Sequence, residues 1–138
     1  LDVLARPKSE EEFRRKSFDV GRLLAEIHKK GICLGDCNPF SFLFTPDNRI
    51  FLVDLEQCSY DNSFSWDLAE LLYYTSHYLK PEKIDAFASS LAEGYLTIGD
   101  ADNLIQALDI RYARVLAPLV LPWVPVRIRD SVMRVVKR

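Results

Sequence analysis

Residues 27–39 have the sequence IHKKGICLGDCNP, and this stretch decides how the chain folds. Its first part continues the apolar pattern of an amphipathic helix, whereas its second part is rich in Gly, Asp, Asn and Pro, which disfavour a helical backbone. We therefore expect a helix over 9–30, then a loop over 32–40 that carries Asp36.

The predicted helix has a defined start and a defined end. Ser9 followed by Glu12 has the spacing of a capping box, and Gly31 follows two lysines as a stop signal. Between these signals the apolar residues recur at helical spacing: Phe13, Val20, Leu24 and Ile27.

Two short apolar and aromatic runs, 41–45 and 49–55, flank the turn tripeptide Pro46-Asp47-Asn48. This pattern predicts a β-hairpin whose second strand ends at Asp54. Because a hairpin returns the chain on itself, Asp36 and Asp54 can share one site. Phosphoryl transfer uses two carboxylates in this way: one accepts the proton of the attacking hydroxyl, and the other holds a divalent cation.

The remainder of the chain is predicted to be helical. Apolar spacing indicates three helices, over about 66–79, 82–96 and 101–116. The last segment, 126–138, alternates basic and apolar residues and is predicted to be a basic amphipathic helix. The expected fold class is thus mainly α with one β-hairpin.

Composition restricts the function classes. The chain has 138 residues, of which 49% are hydrophobic and 28% charged, as expected for one globular domain. Its net charge of -2 excludes a globally basic nucleic-acid binder. The apolar stretch 115–126 is too short to span a bilayer and contains prolines. Three cysteines give no disulfide framework, so we expect a reducing, cytoplasmic setting.

Three segments resemble those of protein-kinase-like enzymes. Residues 27–39 resemble the helix and catalytic loop, in the Gly-Asp form of the atypical and archaeal branches that include the RIO and lipopolysaccharide-kinase-like groups. Residues 51–56, FLVDLE, resemble the metal-binding strand, with Asp-Leu-Glu in place of Asp-Phe-Gly. Residues 65–70, SWDLAE, resemble the following helix, whose buried Asp fastens the catalytic loop by hydrogen bonds.

The resemblance implies a kinase C-terminal lobe that uses ATP with Mg or Mn. It makes Asp36 the catalytic base, with Asn38 beside it in the catalytic loop, and Asp54 the principal metal ligand. Asp67 would be the structural support. The family's second metal-binding Asn is replaced by Ser41, whose hydroxyl is a shorter and weaker ligand for a hard cation.

The nucleotide-binding half of such an enzyme is not recognisable. The five glycines form no G-x-G-x-x-G, and 35 residues before Asp36 are too few for a β-rich lobe. We therefore expect residues 1–138 to be a C-terminal lobe that needs an N-terminal kinase lobe and is inactive alone.

Several interpretations stay open. The favoured parent is a serine/threonine-protein kinase with a protein substrate, and a small-molecule kinase is less favoured. The alternative is a pseudokinase or partner-binding module, because Ser41 weakens the second metal site. The basic segment could contact RNA, anionic lipid or an acidic partner, or form a solvated face. A zinc site is disfavoured, because its ligands would have an unusual spacing: Cys33, Cys37, Cys58 and His28.

Overall fold

A capped helix, a two-stranded hairpin and five further helices follow one another along residues 7–138, the part of the chain that the computed structural model describes. The predicted fold class, mainly α with one hairpin, is confirmed. The elements are α1 (Glu10–Lys29), β1 (Phe42–Phe44), β2 (Ile50–Leu52), α2 (Phe64–Tyr78), α3 (Pro81–Leu96), α4 (Ala101–Ala107), α5 (Ile110–Leu116) and α6 (Val124–Val136).

The first helix lies along α3. Its N-terminus is capped by the Ser9 side chain, which accepts the Glu12 N–H at 3.1 Å. The two helices approach so closely that a Cβ on Gly21 would overlap the carbonyl of Leu91, and one on Gly94 would overlap the carbonyl of Phe18. This close contact holds α1 against α3.

The core is formed mainly by α1, α2, α3 and α6, together with the inward side of the hairpin. Its fully buried large side chains are Phe13, Leu24, Phe42, Leu68, Leu71, Leu72, Ile84, Phe87, Leu91, Tyr95, Leu104 and Ile128. Burial on this scale is the dominant favourable contribution to folding.

The hairpin is shorter than the sequence pattern predicts. It pairs Phe42 with Leu52 and Phe44 with Ile50, and its turn includes Asn48 at φ 62°, a backbone region that Asn tolerates better than most residues. The second strand therefore ends before Asp54, which lies two residues beyond it.

The predicted helix over 101–116 is wrong, because the chain breaks at Leu108 and Asp109. Asp109 has an extended backbone, and its side chain accepts the Arg111 N–H at 2.9 Å, which caps α5 as a separate helix. The apolar spacing continues across the break, so periodicity alone could not locate it.

The basic C-terminal segment is a helix that is packed on α3 by its apolar face: Val124, Ile128, Val132 and Val135. Part of its positive charge is neutralised by ion pairs within the chain. Arg127 pairs with Asp85 at 2.5 Å, and Arg138 pairs with Glu93 at 2.6 Å. Within residues 7–138, no helix is both long and apolar enough to cross a membrane.

Candidate active site

The loop after α1 is attached to α2 through the carboxylate of Asp67. This side chain is fully buried, and it accepts the backbone N–H of Leu34 at 2.7 Å and that of Gly35 at 2.9 Å. Hydrogen bonds to a charged acceptor are among the stronger ones in proteins. The backbone just before Asp36 is therefore held in place by a helix of the core.

A buried chain of polar side chains supports Asp67 from the other side. His28 Nε2 lies 3.0 Å from Asp67 Oδ2, and its Nδ1 lies 2.9 Å from the Tyr95 hydroxyl, which accepts from Asn103 at 3.0 Å. Because a carboxylate only accepts, Nε2 donates to Asp67, and in the neutral imidazole Nδ1 then accepts from the Tyr95 hydroxyl. Each buried donor among these hydrogen-bonded side chains has an acceptor, as buried polar groups require.

A second carboxylate of α2 binds the same loop. Glu70 accepts the backbone N–H of Cys37 at 3.0 Å and is 6% exposed. Its burial, together with the negative charges of Asp36 and Asp67, raises the pKa of Glu70 to about 7, although the bond from Cys37 opposes this shift. The loop thus gives three N–H groups to two carboxylates of one helix.

Asp36 lies between these fixed points with its side chain exposed to solvent. Asn38 donates from Nδ2 to the Asp36 carboxylate at 3.2 Å and accepts the Phe40 N–H at 3.0 Å, which caps the short turn Pro39–Ser41. The carboxylate is thus accessible to a substrate, while its neighbours are ordered.

The segments that flank the hairpin run side by side. Cys33 and Ser59 exchange two backbone hydrogen bonds, at 2.9 and 3.0 Å, and Gly35 lies directly against the carbonyl of Gln57. The predicted return of the chain is therefore observed: the backbone entering Asp36 lies beside the backbone leaving Asp54.

Asp54 occupies a turn rather than a strand. Its backbone is left-handed, with φ 59° and ψ 52°, and its side chain is exposed. Asp adopts this conformation more often than most residues other than Gly, although it still costs about 1–2 kcal/mol. The Val53 N–H donates to the Ser41 carbonyl at 3.0 Å, which places the backbones of Ser41 and Asp54 in adjacent positions.

The donor groups here suit a hard divalent cation. Asp54 offers an exposed carboxylate, and Ser41 has a buried hydroxyl with no hydrogen-bond partner among the described residues. Mg²⁺ takes oxygen ligands, and in phosphoryl-transfer sites it uses one or two carboxylates plus the substrate phosphates. A cation could therefore be held by Asp54 with Ser41 nearby.

A zinc site is not supported. Within residues 7–138, no group of three or more His, Cys, Asp or Glu side chains is arranged to hold a metal ion. Burial raises the pKa of the Cys33 thiol to about 12 and raises that of Cys37 well above its ordinary value, so both thiols stay protonated. His28 is committed to Asp67 and Tyr95.

The family model for the lipopolysaccharide kinases (Kdo/WaaP) matches residues 2–90, which include the loop, the hairpin and α2. The chain belongs to the lipopolysaccharide kinase (Kdo/WaaP) family. This membership confirms the resemblance to atypical protein-kinase-like enzymes that the three segments indicated.

A curated relative supports this family assignment. The probable serine/threonine-protein kinase BUD32 homolog of Archaeoglobus fulgidus is 29% identical over 91 residues, which are 65% of this chain and 46% of the relative. The chain spans about half the length of the curated relative it matches. No solved structure matches the chain significantly.

Within this Kdo/WaaP chain, sequence reasoning missed three residues that order the loop: Glu70, His28 in its bond to Asp67, and Tyr95. For Glu70 a signal was present, because it lies three residues after Asp67, and residues at this spacing share one face of a helix. No comparable signal existed for Tyr95, since only the packing of α3 on α1 brings it to His28.

Proposed function

We propose that the protein is an ATP-dependent phosphotransferase of the protein-kinase-like superfamily and that residues 1–138 form its C-terminal lobe. In this proposal the loop around Asp36 and the turn at Asp54 are the catalytic and metal-binding loops. Membership of the Kdo/WaaP family supports the assignment to this enzyme class.

The observation that carries the proposal is that the two loops run side by side. The Cys33–Ser59 bridge and the Gly35–Gln57 contact join the backbone before Asp36 to the backbone after Asp54. Two exposed carboxylates, each on a backbone fixed by its neighbours, are what phosphoryl transfer uses for positioning and charge stabilisation.

Asp36 is proposed as the catalytic base. Its exposed carboxylate can accept the proton of an attacking hydroxyl, and the Asn38 amide, 3.2 Å away, restricts its orientation. Asn38 is assigned to ordering the catalytic loop, because its side chain is engaged with both Asp36 and the Phe40 N–H.

Asp54 is proposed as the principal ligand of Mg or Mn, with Ser41 as the weaker second ligand. Such a cation, when bound, neutralises the phosphate charge that develops during transfer. The left-handed backbone of Asp54 turns the chain at the end of the hairpin, and the Ser41 hydroxyl, which has no hydrogen-bond partner within residues 7–138, has free lone pairs for a cation.

ATP is proposed to be held largely by an N-terminal lobe. The sequence has no G-x-G-x-x-G among its glycines, and a Gly-rich loop and a strand Lys are the parts that cover the phosphates in kinases. The 138-residue chain alone should therefore show no phosphoryl transfer.

The acceptor is proposed to be a protein Ser or Thr hydroxyl, in line with the name of the archaeal relative, a probable serine/threonine-protein kinase. A sugar hydroxyl of lipopolysaccharide is the second candidate, because the matching family is named for that activity. The same base and cation would serve both acceptors, since each reaction transfers a phosphoryl group to a hydroxyl.

The alternative function is a pseudokinase or partner-binding module. The replacement of the second metal-binding Asn by Ser41 favours it, because a weaker ligand lowers affinity for the cation. Contacts of the basic segment 126–138 with RNA, anionic lipid or an acidic partner, and a cytoplasmic location, stay predictions.

The test is phosphoryl transfer from radiolabelled ATP by the complete gene product, with a generic protein substrate and with lipopolysaccharide as separate acceptors. We expect transfer that requires Mg²⁺ or Mn²⁺ and is lost in Asp54→Asn. Metal-independent nucleotide binding without transfer to either acceptor would instead support the pseudokinase.

A further inference from the structure

Two carboxylates of α2, Asp67 and Glu70, point at the loop that carries Asp36. They lie three residues apart, which places them on the same face of the helix. Asp67 binds the N–H groups of Leu34 and Gly35, and Glu70 binds the N–H group of Cys37. The backbone on both sides of Asp36 is therefore hydrogen-bonded to α2.

The bond from Cys37 acts directly on Asp36. The N–H of Cys37 belongs to the peptide group that joins Asp36 to Cys37, so fixing this N–H fixes the rotation of the backbone on the C-terminal side of Asp36. The backbone conformation selects which side-chain rotamers are allowed. The bond from Cys37 to Glu70 thus restricts the backbone that carries the Asp36 carboxylate.

The position of Glu70 is costly for stability. Its carboxyl group is buried on the helix face that also carries Asp67. The side chain of Cys37, on the loop, is 0% exposed. Burying a carboxyl group costs free energy unless it is hydrogen-bonded, and the bond from Cys37 is the compensation seen here. An apolar residue of similar size would avoid this cost but would leave the Cys37 N–H without an acceptor.

On the basis of the proposed function, in which Asp36 is the base, we propose that Glu70 is a positioning residue for catalysis. By accepting the Cys37 N–H it holds the Asp36 carboxylate in the orientation that receives the proton of the acceptor hydroxyl. This role adds to that of Asp67, which fixes the loop before Asp36.

Two substitutions of nearly equal size separate the hydrogen bond from the packing. Glu70→Gln keeps an oxygen that can accept the Cys37 N–H, whereas Glu70→Leu removes the acceptor. In the complete gene product with Mg²⁺ and ATP, we expect Glu70→Leu to lower kcat by about 100-fold, the order of loss that a small misplacement of a catalytic group produces. The KM for ATP should stay unchanged, and Glu70→Gln should retain most of kcat.

Thiol labelling provides a readout that does not depend on activity. Cys37 and Cys33 are both buried, and Cys58 is partly exposed. If Glu70 holds the loop, Glu70→Leu should raise the alkylation rate of Cys37 by about tenfold, the change that the loss of one such hydrogen bond permits. Cys33 should stay protected, and Cys58 provides the reference rate.

The outcomes are distinct. In Glu70→Leu we expect a low kcat and a raised alkylation rate of Cys37 alone. In Glu70→Gln we expect near-normal values of kcat and of the Cys37 alkylation rate. Equal kcat losses in the two variants, unchanged kcat in Glu70→Leu, or Cys33 and Cys37 opening together would overturn the positioning role. If the unmodified protein transfers no phosphoryl group, the proposed function fails, and labelling of Cys37 still decides whether Glu70 holds the loop.

Discussion

The Asp67 carboxylate accepts the backbone N–H of Leu34 at 2.7 Å, although the two residues lie on different elements and 33 positions apart in the chain. The same carboxylate also accepts from Gly35 and faces His28. One buried side chain thus joins the end of α1, the loop and α2. Loss of this acceptor should disturb all three.

Asp67→Asn should destabilise the fold. The amide has one oxygen in place of two, and its NH₂ group must face a donor, so at least one buried N–H loses its acceptor. Each unsatisfied buried group costs about 1–3 kcal/mol. We expect urea unfolding to show a loss of about 3 kcal/mol. The control Asp130→Asn, on the exposed side of α6, should change the free energy of unfolding by less than about 0.5 kcal/mol.

Gly35→Ala and Gly31→Ala form a matched pair. Both glycines have a left-handed backbone, with φ 77° and 78°, so both substitutions add a strain of about 1–2 kcal/mol. Gly35 is also confined, because its Cβ would lie 2.5 Å from the Gln57 carbonyl oxygen, whereas no atom of residues 7–138 lies within 4 Å of a Cβ at Gly31. Gly35→Ala should therefore unfold at a lower temperature than Gly31→Ala. Equal melting temperatures would show that the contact between the two loops is absent.

The buried Glu70 should make stability depend on pH in a direction opposite to that of most carboxylates. Its pKa is about 7 in the folded chain, against an ordinary value of 4.5, so between these values the folded state binds more protons than the unfolded state. The free energy of unfolding therefore falls as pH rises from about 4.5 to about 7, by up to about 3 kcal/mol.

This effect is isolated by comparison with Glu70→Gln, which does not titrate. Denaturant unfolding of both proteins across this range should show the unmodified chain losing stability relative to the variant as pH rises. Parallel curves would mean that Glu70 has the same pKa in the folded and unfolded chains, so that neither its burial nor the negative charges of Asp36 and Asp67 raise it.

How far the sequence predicts this structure differs between elements. The start of α1 was predictable because the Ser9 cap and the spacing of its apolar residues agree. The division into α4 and α5 was not predictable, because Asp109 caps a new helix within an uninterrupted apolar pattern. At this position a local side-chain hydrogen bond prevails over periodicity.

The candidate site likewise has features that the sequence predicts and features that it does not. The positions of Asp36 and Asp54 beside one hairpin followed from the turn between the strands. The left-handed backbone of Asp54, the bond from the Cys37 N–H to Glu70 and the bond between Tyr95 and His28 did not, because each depends on how the helices pack. Hydrophobic pattern determines which face is buried, whereas these polar contacts depend on the tertiary arrangement.

The basic segment 126–138 predicts polyanion binding that is weakened by salt. Arg129 and Lys137 form no ion pair within residues 7–138, in contrast to Arg127 and Arg138. We expect binding to single-stranded RNA or to anionic vesicles at low salt, decreasing as salt rises because counterions are released. The double variant Arg129→Gln, Lys137→Gln should weaken it. No binding of either probe at low salt would contradict the prediction.

The most direct test of the central claim is the rate of phosphoryl transfer from ATP by the complete gene product and by its Asp36→Asn variant, at saturating Mg²⁺. Asp47→Asn, at the exposed turn of the hairpin, is the matched control. If Asp36 is the catalytic base, its variant should transfer at least about 100-fold more slowly, the usual contribution of general base catalysis, while Asp47→Asn keeps the full rate. Equal rates in the unmodified protein and Asp36→Asn, or no transfer in either, would contradict the account.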